Sequence, residues 1–193
     1  LFSGSGDETI KVWTPDGSGN YHDTQALTQT LSGHSDYVNA LAFDQESKTL
    51  FSGSGDETIK VWTPDGSGNY DDTQTLSGHG SGVEALAYDQ DSKTLFGGDD
   101  DGSIKVWTQD GSGNYDASST QTLSGHSSYV RALILDHETN TLFSGSNDGI
   151  IKVWTRDGSG TYHDTQTLSG YSSIWALAYD QETKTLFSGS EDR

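Results

Sequence analysis

The sequence predicts an all-β chain built from four-stranded antiparallel units set side by side around a common axis. Three observations predict it. The block Leu-Phe-Ser-Gly-Ser-Gly-Asp-Glu-Thr-Ile-Lys-Val-Trp stands at 1–13 and again at 50–62, with close variants at 95–107 and 142–154 and a fifth copy opening at Leu186. The starts Leu1, Leu50, Leu95, Leu142 and Leu186 are spaced by 49, 45, 47 and 44 residues, a period that marks repeated units. The apolar runs are short enough for strands, and the turns between them draw on 24 glycines but only 2 prolines. The expected division is one domain, 1–193, with repeats 1–49, 50–94, 95–141 and 142–185 and a partial repeat 186–193.

Residues 34–76 serve as the type unit. Val38–Phe43 is mostly apolar on both alternations, as a strand covered on both faces must be. Its counterparts are 83–88, 130–135 and 174–179. Residues 44–49 are polar and turn-like. Leu50–Ser54 is the second strand, and its Ser52, Gly53 and Ser54 are small enough for another element to approach closely. Residues 55–57 turn into a third strand at 58–62, rich in β-branched and aromatic side chains. Residues 64–69 carry Asp-Gly, a tight-reversal signal, and Tyr70–Leu76 is a more polar outer strand. The extra residues of the first unit, near 24–30, and of the third, at 117–119, fall at this outer edge, where insertions are tolerated.

Each unit also carries Thr-Leu-Ser-Gly-His, at 30–34, 75–79 and 122–126, with Tyr171 replacing the histidine in the fourth. Gly-His, an apolar run, Ser-x-x-x-Asp, then Trp six residues later: the chain resembles the WD-repeat β-propeller family over its whole length. One departure is uniform, since Trp13, Trp62, Trp107 and Trp154 are followed by Thr where the family usually has Asp. The resemblance implies β-propeller blades and a non-catalytic scaffold that recognises protein or peptide. It also implies hydrogen-bonded sets of His, Ser, Asp and Trp: His34, Ser52, Asp56 and Trp62, then His126, Ser144, Asp148 and Trp154. Two sets are broken. Gly97 stands where Ser belongs, leaving His79, Asp101 and Trp107, and the last unit offers only Ser188 and Asp192 beside Tyr171. Trp13 belongs to the incomplete first unit.

Ser, His and Asp together invite a nucleophilic reading. A motif that recurs in every unit suits structure better than a single active site, and no strained nucleophile turn is signalled. The loop Asp65-x-Ser67-x-Asn69 begins like a calcium loop, but its sixth position is Tyr70 and its twelfth Leu76, so a hairpin turn explains it. No metal or other cofactor is expected. Tyr21, Tyr70, Tyr115 and Tyr162 recur at one position and would serve a rival carbohydrate-binding reading, though beside a hairpin turn they suit packing. A further rival is a structural module of duplicated or designed repeats with no ligand. The candidate binding surface is Asp36, Tyr37, Asn39, Glu84, Tyr129, Arg131 and Trp175, types that include the aromatics and Arg favoured at interfaces.

The net charge is -19. That argues against nucleic acid and anionic membranes and fits a basic partner, cations or plain solubility, with a solvated acidic surface the plainest reading. No apolar run reaches a membrane span, and no signal peptide is visible. With no Cys there is no disulfide or thiolate site; with no Met and a start in mid-strand, the chain reads as a processed product, an excised piece of a longer array, or an engineered one. Inner strands number four, while the last unit lacks its outer strands and the first lacks an inner one. Unpaired edges favour closure. Two closures are open: a monomer of four blades, or a head-to-tail homodimer of eight, which is the favoured expectation.

Overall fold

The computed structural model describes residues 1–21, 27–116, 121–169 and 172–191. Every element among them is a β-strand. The first sheet holds β1 (Phe2–Gly4), β2 (Thr9–Trp13) and β3 (Leu27–Ser32). The second holds β4 (Val38–Phe43), β5 (Leu50–Ser54), β6 (Ile59–Pro64) and β7 (Tyr70–Leu76). The third holds β8 (Val83–Asp89), β9 (Thr94–Asp99), β10 (Ile104–Thr108) and β11 (Gln121–Leu123). The fourth holds β12 (Val130–Asp136), β13 (Thr141–Ser146), β14 (Ile151–Arg156) and β15 (Tyr162–Leu168). The fifth is the hairpin β16 (Ile174–Asp180) and β17 (Thr185–Ser190).

Each sheet is an antiparallel meander in chain order. The third strand of the type unit runs from Ile59 to Pro64, later at both ends than propensity alone places it. Pro64 fits there because it pairs with Tyr70 at the last rung before the turn, where a missing N–H costs little.

The core lies between sheets rather than within them. Ile10, Val12 and Leu31 of the first sheet pack with Val38, Leu50 and Trp62 of the second. Phe51, Ile59, Val61 and Leu76 meet Val83, Leu95, Trp107 and Tyr115 in the same way. A third cluster joins Phe96, Ile104 and Val106 to Val130, Leu142 and Trp154. Full burial of each such side chain contributes about 1.5–3 kcal/mol. Gly53 permits this spacing: a Cβ there would lie 2.6 Å from Val83 Cγ1, so only glycine lets the next inner strand come so near.

Neighbouring sheets meet through β4, β8, β12 and β16 in sequence. Among the described residues β1–β3 do not pack against β16–β17 as neighbouring sheets do, and Leu1 and Phe187 are exposed, so the five sheets form an open arc. The two ends differ in what they lack. The first sheet has no inner strand, and the last has no outer pair.

Candidate binding face and the buried polar sets

Every inner strand carries a bulge at one place. The register shifts between Val38 and Ala40, Val83 and Ala85, Val130 and Ala132, and Ile174 and Ala176. The residue left without a partner is Asn39, Glu84, Arg131 or Trp175. A bulge re-aims the side chain at the extra position. Here it turns four unlike side chains into one continuous row across the inner strands. Asn39 Nδ2 donates to Glu84 Oε1 at 3.1 Å and to the Val83 carbonyl at 3.2 Å. Arg131 pairs with Glu84. The Arg131 guanidinium lies 4.5 Å from the Tyr129 ring centre and 5.2 Å from that of Trp175. Stacking of this kind holds a cation against the face of the rings.

Tyr37, Tyr129 and Trp175 remain 62%, 38% and 50% exposed. Asp36 is committed to its own turn: its carboxylate accepts the Tyr37 N–H and its carbonyl accepts the Ser54 hydroxyl. Burial pushes the carboxyls of Glu84 and Asp100 above the usual range beside Arg131. The row is polar at its Asn39 end and aromatic at its Trp175 end.

The buried sets lie beneath this face. His34 Nδ1 is 2.8 Å from Asp56 Oδ2, and its Nε2 is 2.8 Å from Ser52 Oγ. The Trp62 indole N–H donates to the same Ser52 Oγ at 2.8 Å. Burial pushes the Asp56 carboxyl up, but hydrogen bonds from Thr58, the Ser35 N–H and His34 outweigh it and hold the group at about 2. His126 meets Asp148 at 3.0 Å and Ser144 at 2.8 Å, and Trp154 donates to Ser144 at 2.9 Å. Burial pushes the His126 imidazole down. The neutral ring therefore donates to Asp148 through one nitrogen and accepts from Ser144 through the other. Ser52 and Ser144 are fully buried. A hydroxyl so enclosed, already holding an indole, has no room for an electrophile.

The third set departs from the sequence expectation. His79 Nδ1 lies 2.6 Å from Asp99 Oδ2, not on Asp101. The cause is Gly97. Without a serine hydroxyl to meet, the imidazole slides toward Trp107, to 5.3 Å between ring centres against 6.5 Å for His34 and Trp62. It then reaches the carboxylate two residues earlier. His79 Nε2 and Trp107 Nε1 are left buried with no hydrogen-bond partner. Asp101 instead caps its turn through Ser103. Trp13 donates to Ser3 at 2.9 Å in the first sheet. Ser188 is exposed on β17, while Asp192 and Tyr171 lie outside the described residues.

Two other candidates resolve into local packing. Asp65 Oδ1 accepts the N–H groups of Ser67 and Asn69, so its oxygens face its own turn. Among the described residues no group of three His, Asp or Glu is placed to hold a metal ion. Tyr115 and Tyr162 are only 3% and 2% exposed, wedged between sheets, which removes the open aromatic pocket a sugar would need.

Sequence reasoning missed a repeated latch. The Gln29 carboxamide donates to the Tyr70 carbonyl at 2.8 Å and accepts the Tyr70 N–H at 2.7 Å. Gln74 holds Tyr115 through the same two atoms, and Gln121 holds Tyr162. The signal was present, because Thr-Gln-Thr-Leu recurs at 28–31, 73–76, 120–123 and 165–168.

Comparison with protein families matches the WD domain, G-beta repeat, at residues 25–63, 71–108, 117–155 and 163–193. No curated protein matches the chain. Among the described residues no helix is long and apolar enough to cross a membrane.

Proposed function

The chain belongs to the WD-repeat family, and from that premise we propose that it is a non-catalytic scaffold that binds a basic peptide or protein segment. The observation that carries this reading is the bulged row Asn39, Glu84, Arg131 and Trp175, flanked by the exposed rings of Tyr37 and Tyr129. Arg131 is neutralised by Glu84, so the row offers a partner aromatic faces and no free positive charge. The net charge of -19 draws the same kind of partner. A structural module without a ligand would have no use for four different residues at one bulge position.

Titrating the protein with a library of basic, aromatic-containing peptides tests the reading. Trp175→Ala and Tyr37→Ala should each weaken binding about tenfold or more, the scale of interface anchors. If no peptide binds below the millimolar range, or both variants bind as well as the parent, the reading fails.

The second part of the proposal is closure into a ring of eight blades by two chains joined head to tail. The ends of the arc support it: the last sheet supplies an inner and a second strand, and the first supplies a second, third and outer strand. The five residues Leu-Phe-Ser-Gly-Ser are common to 1–5 and 186–190, so either copy fits the same strand position. The mass in solution decides between this ring and a four-bladed monomer.

A further inference from the structure

Completed interfaces between sheets share one aromatic joint. Phe2 meets Phe43 at 5.2 Å and Tyr70 edge-on at 5.2 Å. Phe51 meets Tyr88 at 4.9 Å and Tyr115 edge-on at 5.5 Å. Phe96 meets Tyr162 edge-on at 5.0 Å. In each case the edge-on tyrosine comes from the outer hairpin of the following sheet, and a glutamine of the preceding sheet holds its backbone at both polar atoms.

The joint at the fourth sheet is half built. Phe143 has its inner-strand neighbour, Tyr179, at 5.1 Å, and the Tyr179 hydroxyl donates to Asp136 as the Tyr88 hydroxyl does to Asp44. No edge-on tyrosine is present among the described residues. In its place is a cleft of about 460 Å³ between Phe143, Val153, Gln166, Leu168 and Tyr179. Gln166 stands at the latch position. Its carboxamide holds no hydrogen bond among the described residues and is exposed, whereas Gln29, Gln74 and Gln121 are partly buried. The latched tyrosine stands 41 residues after its glutamine at every completed joint.

One tyrosine in the chain has the matching shortage. Tyr21 follows the Asp-Gly-Ser-Gly-Asn turn that also precedes Tyr70 and Tyr115 and is 51% exposed, while Tyr115 and Tyr162 are buried. It stands at the opposite end of the open arc from the cleft. We infer that the cleft beside Phe143 is the seat of Tyr21 from a second copy of this chain, with Gln166 latching the backbone of that residue. The inference rests on the head-to-tail ring proposed above and names the contact that closes it. The seated ring completes the edge-on pair with Phe143 and fills the groove that the monomer leaves open. Aromatic pairs of this geometry add to their area burial, and the carboxamide regains two hydrogen bonds.

The test uses the full chain and two exposed positions whose replacement leaves the fold intact. The parent should sediment with the mass of two chains. Tyr21→Ala and Gln166→Ala should each weaken the dimer about tenfold to a hundredfold, the range for a buried aromatic anchor or a latched amide, with unchanged circular dichroism. Mixing the two variants rebuilds one intact joint per ring, so a mass-tagged hetero-pair should form more tightly than either variant with itself. Parent-like association of both variants in a dimeric protein overturns this inference and leaves the ring standing. A parent with the mass of one chain overturns the ring itself. Variants that dimerise weakly but gain nothing on mixing place Tyr21 in its own chain's cleft and also overturn the inference.

Discussion

Gly97 strands two ring nitrogens, His79 Nε2 and Trp107 Nε1, in the interior, and each unpaired group costs about 1–3 kcal/mol. Restoring the serine alone should not help. A Cβ on Gly97 would lie 2.8 Å from His79 Nε2 and 2.9 Å from Ile59 Cδ1, so the imidazole would have to retreat and abandon the fully buried Asp99. Urea unfolding should show Gly97→Ser destabilised by about 1–3 kcal/mol. Gly97→Ser with Asp99→Ser should recover that loss and exceed the parent, because Ser54 and Ser146 occupy the site of Asp99 in the neighbouring sheets. Acid acts on the same layer. Burial raises the Asp99 carboxyl, but hydrogen bonds from His79 and Ser103 outweigh it and hold it at about 2, as Asp56 is held. Both groups are depressed from 3.8, so their contribution is complete above about pH 4 and is lost as pH falls toward 2. His126, also depressed by burial, adds a loss as pH falls below its ordinary 6.5. Thermal melting followed from pH 7 to about 2 should show both stages, and Asp56→Asn should flatten the lower one. The sequence carried Ser, Asp and Trp at constant spacing, which is why their strands were legible. The move of His79 to Asp99 was not, because transferring a register from copy to copy assumes the missing hydroxyl changes nothing else.

Among the elements, β1 and β17 share their letters but not their anchorage. β17 pairs with β16 over six rungs, from Ile174 and Ser190 to Asp180 and Thr185. β1 pairs with β2 over three, from Phe2 and Val12 to Gly4 and Ile10. If two chains close as proposed, one copy must yield its place, and β1 loses fewer hydrogen bonds by doing so. Hydrogen exchange on the dimer should show amides of 1–5 exchanging at least about tenfold faster than those of 186–190. The reverse order would mean that β17 is the strand displaced. Strand positions were legible to within a residue or two, since alternation and turn letters are local. The bulges at Asn39, Glu84, Arg131 and Trp175 were not, because an extra residue in one strand is visible only against the partner it fails to pair with.

For the whole molecule, charge works against the closure proposed above. The chain carries 29 acidic side chains against 10 basic ones, so two copies repel as they approach. Most of those charges are exposed, and salt screens them over about 8 Å at physiological ionic strength. Raising the salt from about 20 mM to about 500 mM should therefore tighten the dimer, while a joint made chiefly of ion pairs would loosen. Analytical ultracentrifugation across that range distinguishes the two. The number of units was plain from the repeat, but how far round they turn was not. That angle depends on how closely each inner strand seats against its neighbour, a property of packing that no single unit contains.

The tight seat of Val83 against Gly53 sets that angle, and Val130 and Ile174 repeat it against Gly98 and Gly145. A head-to-tail contact stops growing only when its rotation returns to the starting point. Alanine at these glycines would change each step, and in the proposed ring molecules meeting tip to tip would miss one another and run on as a filament.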